Sequence, residues 1–175
     1  MIDAIVLSDY NKFVFRGDLG KHLVSLAKNH GIPIVVDPKP ANIASFKNAT
    51  LLCPNINEAR EIVGLSNGSE SNAVKNLREI VGSEYVIVTC GKRGMISYDG
   101  SEFNEIPTKV RDVVDVTGAG DTASAAMTLG LISGLGLVGA AHLANYAAGV
   151  VVEKQGTSIL TDKELIERIE SDGNV

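Results

Sequence analysis

Four short apolar runs set the tightest limit on what this chain can fold into. Ala4 to Leu7, Ile34 to Val36, Leu51 to Cys53 and Tyr85 to Val88 are apolar throughout, without the alternation of a strand that faces water on one side. Each run stops at a polar or turn residue: Ser8-Asp9, Asp37-Pro38, Pro54-Asn55 and Thr89. Helical spacing fills the gaps. Leu19, Leu23, Leu26 and Ala27 mark a helix over Asp18 to Asn29 with Gly31 as its stop signal. Further helices are expected over Ile56 to Val63, ending at Gly64, and over Ser71 to Val81. Strands that are apolar on both faces and alternate with helices make a parallel sheet covered on both sides, so the expected class is α/β with three layers, α/β/α.

After Gly91 the rhythm changes. Met95 to Tyr98, Asp99-Gly100 and Glu102 to Ile106 read as an antiparallel hairpin with an Asp-Gly turn. The remainder reads as helix: Gly120 to Ser133, Val138 to Glu153, and a last helix opened by the capping box Thr161-Asp162-Lys163-Glu164. We expect one domain over residues 1–175, its sheet mostly parallel with one antiparallel hairpin. In open sheets of this kind ligands sit beyond the carboxyl ends of the strands, which puts Asp9, Asp37, Asn55 and Thr89 along one rim.

Charge and composition remove several classes of function. The formal net charge is −5 and no Lys/Arg run occurs, so a nucleic-acid partner is not expected. Thr122 to Val152 holds no Asp, Glu, Lys or Arg, which raises the question of a membrane span. Ser133-Gly134-Leu135-Gly136 interrupts it, and both flanks are rich in small residues, so two closely packed buried helices are expected and no membrane contact. Cys53 and Cys90 lie in or beside apolar runs without metal-type spacing and read as reduced thiols. With no signal peptide at Met1-Ile2-Asp3, a cytoplasmic location is expected.

The sharpest chemical signal is Asp115-Val116-Thr117-Gly118-Ala119-Gly120-Asp121, running into a helix. Three small residues leave backbone amides open where a helix starts, and the helix dipole adds positive potential, which suits a phosphate. Asp121 falls in the first helical turn, where a carboxylate can accept a proton from an alcohol. Phosphoryl transfer requires both parts. The same residues also suit an ordinary tight turn with an acidic first-turn residue.

This run resembles the C-terminal signature of the PfkB family, the ribokinase-like carbohydrate kinases, from Asp115 to Thr128. The resemblance implies a ribokinase-like fold, Asp121 as catalytic base, and Gly118, Ala119 and Gly120 as the anion hole for the γ-phosphate of ATP. Asn55-Ile56-Asn57-Glu58 resembles the family's Asn-x-x-Glu motif, which implies that Asn55 and Glu58 organise Mg2+, largely through water. The same four residues form a helix capping box, and the two roles can coexist. Thr89-Cys90-Gly91-Lys92-Arg93-Gly94 resembles the family's Thr-x-Gly-x-x-Gly turn and implies nucleotide contacts at Thr89, Gly91 and Gly94. Asn145 matches a helix position near the adenine, or is a polar residue buried against small neighbours. Asp115 and Thr117 match residues beside a monovalent cation, K+. Lys39 and Lys12 could neutralise phosphate or stay solvated.

Ser8-Asp9-Tyr10-Asn11-Lys12, Val36-Asp37-Pro38-Lys39 and the run Ala144 to Thr157 look like the branch that phosphorylates heptose 7-phosphate for ADP-heptose and lipopolysaccharide synthesis. Members of that branch usually carry Gly where Asn11 and Phe13 stand, so this loop is expected to differ. The expected function is ATP-dependent phosphorylation of a sugar phosphate. The rivals are a non-catalytic nucleotide-binding or assembly module, or a kinase of the same family for another sugar or a nucleoside. By the resemblance, the family's N-terminal half and lid precede the point where this chain starts. A homodimer, or a partner chain supplying that half, is therefore expected to cover the surface near Ile5, Val6 and Leu7.

Overall fold

The computed structural model describes residues 2–65 and 68–172. Strands β1 (Ile5–Ser8), β2 (Ile34–Asp37), β3 (Leu51–Leu52) and β4 (Tyr85–Thr89) run parallel, and β5 (Met95–Tyr98) and β6 (Phe103–Ile106) follow as an antiparallel pair. The strands form one six-stranded sheet in chain order, β1-β2-β3-β4-β5-β6. Parallel neighbours added always in the same direction, with the right-handed crossovers such units adopt, place their connecting helices on one face. Accordingly α1 (Leu19–Asn29), α2 (Ile56–Val63) and α3 (Glu70–Val81) share one core with the sheet through Val24, Ala59, Val74 and Leu77. On the opposite face, α4 (Ala119–Ile132) and α5 (Gly136–Val152) form a second core through Ala123, Met127, Ala144 and Ala147.

The continuous apolar runs have a simple physical origin. Ile34 and Val36 enter the first core and Val35 the second; Val86 and Val88 enter the first and Ile87 the second. Each fully buried side chain of this size contributes roughly 1.5–3 kcal/mol. The stretch without charges became α4 and α5, joined through Gly134, with positive φ there and at Gly136, where α5 starts. Their contact is close: a Cβ at Gly130 would lie 2.7 Å from the Cα of Ala140. Among the described residues no helix is long and apolar enough to cross a membrane.

Helix α6 (Asp162–Asp172) is fixed by Arg168, which is buried and bonds both Glu153 and the backbone oxygen of Lys109. Element ends shift by a residue or two from the sequence reading, and two of the differences bear on the fold. Helix α3 begins one residue earlier, at Glu70, because the Ser69 hydroxyl caps it by accepting the amide of Asn72. A 3-10 helix over Pro40–Phe46 fills the link between β2 and β3 and buries Phe46 edge-on against Phe15, with ring centres 5.2 Å apart. Among the described residues strand β1 is an edge, paired on one side only, and Val6 on it is 43% exposed.

Candidate active site

The loop leading to α4 ends at Gly118, whose φ of 82° puts it in the left-handed region immediately before the helix. A Cβ there would touch only Thr157, at 3.5 Å, so backbone conformation rather than space calls for glycine. Among the three small residues of the signature, the Ala119 amide is already used, donating to the Val116 oxygen at 3.2 Å. The amides of Gly120 and Asp121 have no protein acceptor among the described residues and lie at the open end of the helix, where donors face outward. A Cβ on Gly120 would sit 3.8 Å from Oδ2 of Asp37, so α4 starts right over the end of β2.

Asp121 is exposed in the first turn of α4, and β1 reaches it from across the sheet. The Ser8 hydroxyl donates to Oδ1 at 2.8 Å, and the Tyr10 hydroxyl donates to Oδ2. Neither hydroxyl was given a role from sequence. The usable signal was their position, at and just beyond the carboxyl end of a parallel strand. Tyr10 is 60% exposed, and its phenol titrates higher than usual because it donates to a carboxylate.

The other rim residues divide into structural and accessible groups. Asp9 is 2% exposed and accepts hydrogen bonds from the Asn11 amide, the Lys39 amide and the Asn42 side chain, tying the end of β1 to the loop after β2. Asp37 has no side-chain hydrogen bond among the described residues. Burial pushes its carboxyl up to about 6, opposed by Lys39 and reinforced by Glu58, Asp121 and Asp9. It lines a cleft of about 130 Å³ with Lys39, Cys53, Asn55, Glu58 and Gly120. Inside that cleft Glu58 pairs with Lys39 at 2.5 Å. Asn55 and Glu58 also form the complete capping box of α2, so the structural role read from sequence is realised.

Thr89 ends β4 beside Asn55, to which it is bridged, and also lines the cleft. The two glycines after it differ. Gly91 has φ 58° with open space around it, whereas a Cβ on Gly94 would lie 2.0 Å from the Ile106 oxygen. Gly94 therefore makes room for the protein's own backbone. Asn145 is 3% exposed and bonds that same segment, donating to the Pro107 oxygen at 2.6 Å and accepting the Lys109 amide at 3.4 Å. Both side-chain ends are engaged by the protein, which is the buried-polar role. Asp115 accepts the amide and hydroxyl of Thr117 through one oxygen and the Gly156 amide through the other, closing the loop before α4 onto the turn after α5. Lys12 is exposed.

Comparison with known proteins returns a family and a fold. Residues 2–164 match the family described as pfkB family carbohydrate kinase. The bifunctional protein HldE of Magnetococcus marinus is 42% identical over 166 residues, covering 93% of this chain and 34% of its own length. That of Syntrophotalea carbinolica is 41% identical over 169 residues, with 94% and 34% covered. The chain thus spans about a third of the length of these relatives. Among solved structures, ribokinase from Thermotoga maritima superposes with a TM-score of 0.80 at 25% identity, covering 96% of this chain and 57% of that one. Phosphofructokinase-2 from Escherichia coli in complex with potassium gives a TM-score of 0.76 at 22% identity, covering 87% and 51%. The fold is ribokinase-like.

Proposed function

This chain belongs to the pfkB family of carbohydrate kinases, and from that membership we propose that it forms, as one domain, the nucleotide-binding and catalytic part of an enzyme that phosphorylates a sugar phosphate with ATP. The favoured acceptor is D-glycero-D-manno-heptose 7-phosphate, supported by the HldE relatives. One observation carries the reading. Asp121, beside unpartnered helix-start amides, already accepts hydrogen bonds from two hydroxyl groups, which is what a base must do with an acceptor alcohol.

In this reading the amides of Gly120 and Asp121, in the turn set by Gly118 and Ala119, hold the transferred phosphoryl group at the positive end of α4. Asp121 orients the acceptor hydroxyl and takes its proton. Thr89 and Gly91 border the nucleotide, while Gly94 and Asn145 act at one remove by holding the segment from Ile106 to Lys109 against the sheet. Lys39 balances the carboxylates of the cleft and is available to phosphate if Glu58 releases it.

The cleft suits a hard dication. Asp37 is a carboxylate without a hydrogen-bond donor among the described residues, and Asn55 and Glu58 add oxygens that water can bridge. When bound, Mg2+ neutralises charge on the phosphates. A monovalent cation such as the potassium of the E. coli enzyme is proposed beside Asp115 and Thr117. The exposed edge of β1 supports a covering partner, either further polypeptide of the kind the longer relatives possess or a second copy.

The test is ATP consumption by the chain with and without the remaining length of an HldE relative, using heptose 7-phosphate and other sugar phosphates as acceptors. Turnover that depends on heptose 7-phosphate supports the reading. Nucleotide binding without turnover of any acceptor, in either form, leaves a binding module instead.

A further inference from the structure

The Tyr10 hydroxyl occupies the position that an acceptor alcohol must take on the base. Its oxygen donates to Oδ2 of Asp121, while the Ser8 hydroxyl holds Oδ1, so the carboxylate faces both groups at once. Asp121 follows directly on Gly120, at the helix end with unpartnered amides. A phosphoryl group held there therefore lies next to the base and next to whatever hydroxyl the base is holding. In this chain that hydroxyl belongs to the chain itself.

We propose that Tyr10 is an acceptor for phosphoryl transfer from a nucleoside triphosphate bound in its own active site, so that the chain phosphorylates itself on Tyr10. The proposal rests on the reading of Asp121 as the base. The Tyr10 Oη forms a bond to the terminal phosphorus while the bond from that phosphorus to its bridging oxygen breaks. The phenolic proton passes to the Asp121 carboxylate, and the nucleoside diphosphate leaves with the bonding electron pair. The phenol keeps its proton at neutral pH until that moment, since donation to Asp121 holds its titration above the ordinary range.

Positioning favours this acceptor over a sugar that has to diffuse in. Holding two reactants in line spares the reaction the entropic cost of bringing them together. A diffusing sugar receives that benefit only from walls that grip it, whereas Tyr10 is held by a turn anchored on buried Asp9. A product phosphate on Tyr10 would sit against the Asp121 carboxylate and repel it, driving the ring out of the site. The loop has room to leave, since Tyr10, Phe13 and Val14 are all exposed.

The experiment incubates the 175-residue chain with MgATP and reads intact mass and peptide maps, alongside calorimetric titration with ATP. The expected result is a gain of one phosphoryl group on Tyr10, absent in Tyr10→Phe and about a hundredfold slower in Asp121→Asn. Equal labelling of Tyr10→Phe overturns the proposal, because another residue is then the acceptor. No labelling despite ATP binding overturns it while leaving the kinase reading intact. No labelling and no ATP binding sinks both. Tyr10 is exposed, so Tyr10→Phe leaves the fold unchanged, and circular dichroism of the variant verifies this.

Discussion

Lys39 Nζ lies 2.5 Å from Glu58 Oε1, while the other oxygen of the same carboxylate accepts the Asn55 amide at 2.9 Å. One side chain thus caps α2 and neutralises a lysine in the cleft. Glu58→Gln keeps an oxygen for the cap but strips Lys39 of its counter-ion. The expected stability loss is about 1 kcal/mol for this partly exposed pair, with a several-fold higher Mg2+ requirement for turnover. Denaturant melts and a magnesium titration check both numbers. An unchanged magnesium response would assign Glu58 to capping alone.

Asp121→Asn removes proton acceptance but keeps the helix-start amides. In the enzyme assembled with the remaining length of an HldE relative, turnover should fall by about a factor of 10²–10⁴ while ATP affinity stays within a few-fold. Steady-state kinetics with nucleotide titration separates the two. Turnover equal to the wild type would remove Asp121 from the role of base.

Asp37 makes stability depend on pH. Its carboxyl ionises near 3.8 in the unfolded chain and at about 6 in the folded one. Between those values the folded state binds more protons, so its contribution to stability is greatest at low pH and falls as pH rises through the window. Asp37→Asn should therefore be more stable than wild type at pH 7, by roughly 1–3 kcal/mol, with the difference vanishing near pH 4. Urea melts across that range in chelator-treated buffer measure it. A variant less stable at pH 7 than at pH 4, relative to wild type, would reverse the sign.

The glycines after β4 should respond differently to alanine. Gly94→Ala forces a Cβ to within 2.0 Å of the Ile106 oxygen at a φ of 92°, and is expected to cost more than about 3 kcal/mol or to prevent folding. Gly91→Ala meets open space at φ 58° and should cost about 1 kcal/mol while weakening ATP binding. Thermal melts and nucleotide titration distinguish them; equal stability of the two variants contradicts the geometry.

Phe13 holds a left-handed φ of 70°, as Asn11 does at 53°. Aromatic side chains seldom tolerate that region, and Phe13 gains a stacking contact with the Arg16 guanidinium, 3.8 Å from its ring centre. Phe13→Gly should be at least as stable as wild type, and Phe13→Val lower by about 1 kcal/mol. A melting series of the three proteins decides it.

What could be read from sequence was whatever depends on near neighbours. The runs around Val35, Leu52 and Ile87 announced a sheet buried on both faces, and Gly118 to Asp121 announced a helix start with open amides, because both are local patterns. The departure at Asn11 and Phe13 was also visible, and both positions prove to be left-handed. Hidden were the effects of distant segments. Gly94 looked like a glycine for a ligand and is required by the backbone at Ile106. Asn145 read as either a nucleotide contact or a buried polar residue, and only the fold shows that its side chain bonds Pro107 and Lys109. The place of Ser8 and Tyr10 at a strand's carboxyl end marked them as rim residues, but their partner Asp121 was hidden, since that pairing exists only once strand and helix have docked.

The bond from Ser8 to Asp121 spans 113 positions of the chain. Such a closure forms late, after the shorter loops that build the sheet have been made. During synthesis β1 emerges long before α4, and for all that interval the carboxylate and its hydroxyl partners belong to different ends of an unfinished molecule. A nascent or half-unfolded chain consequently lacks the cluster of Ser8, Tyr10 and Asp121, and with it the site proposed for proton transfer.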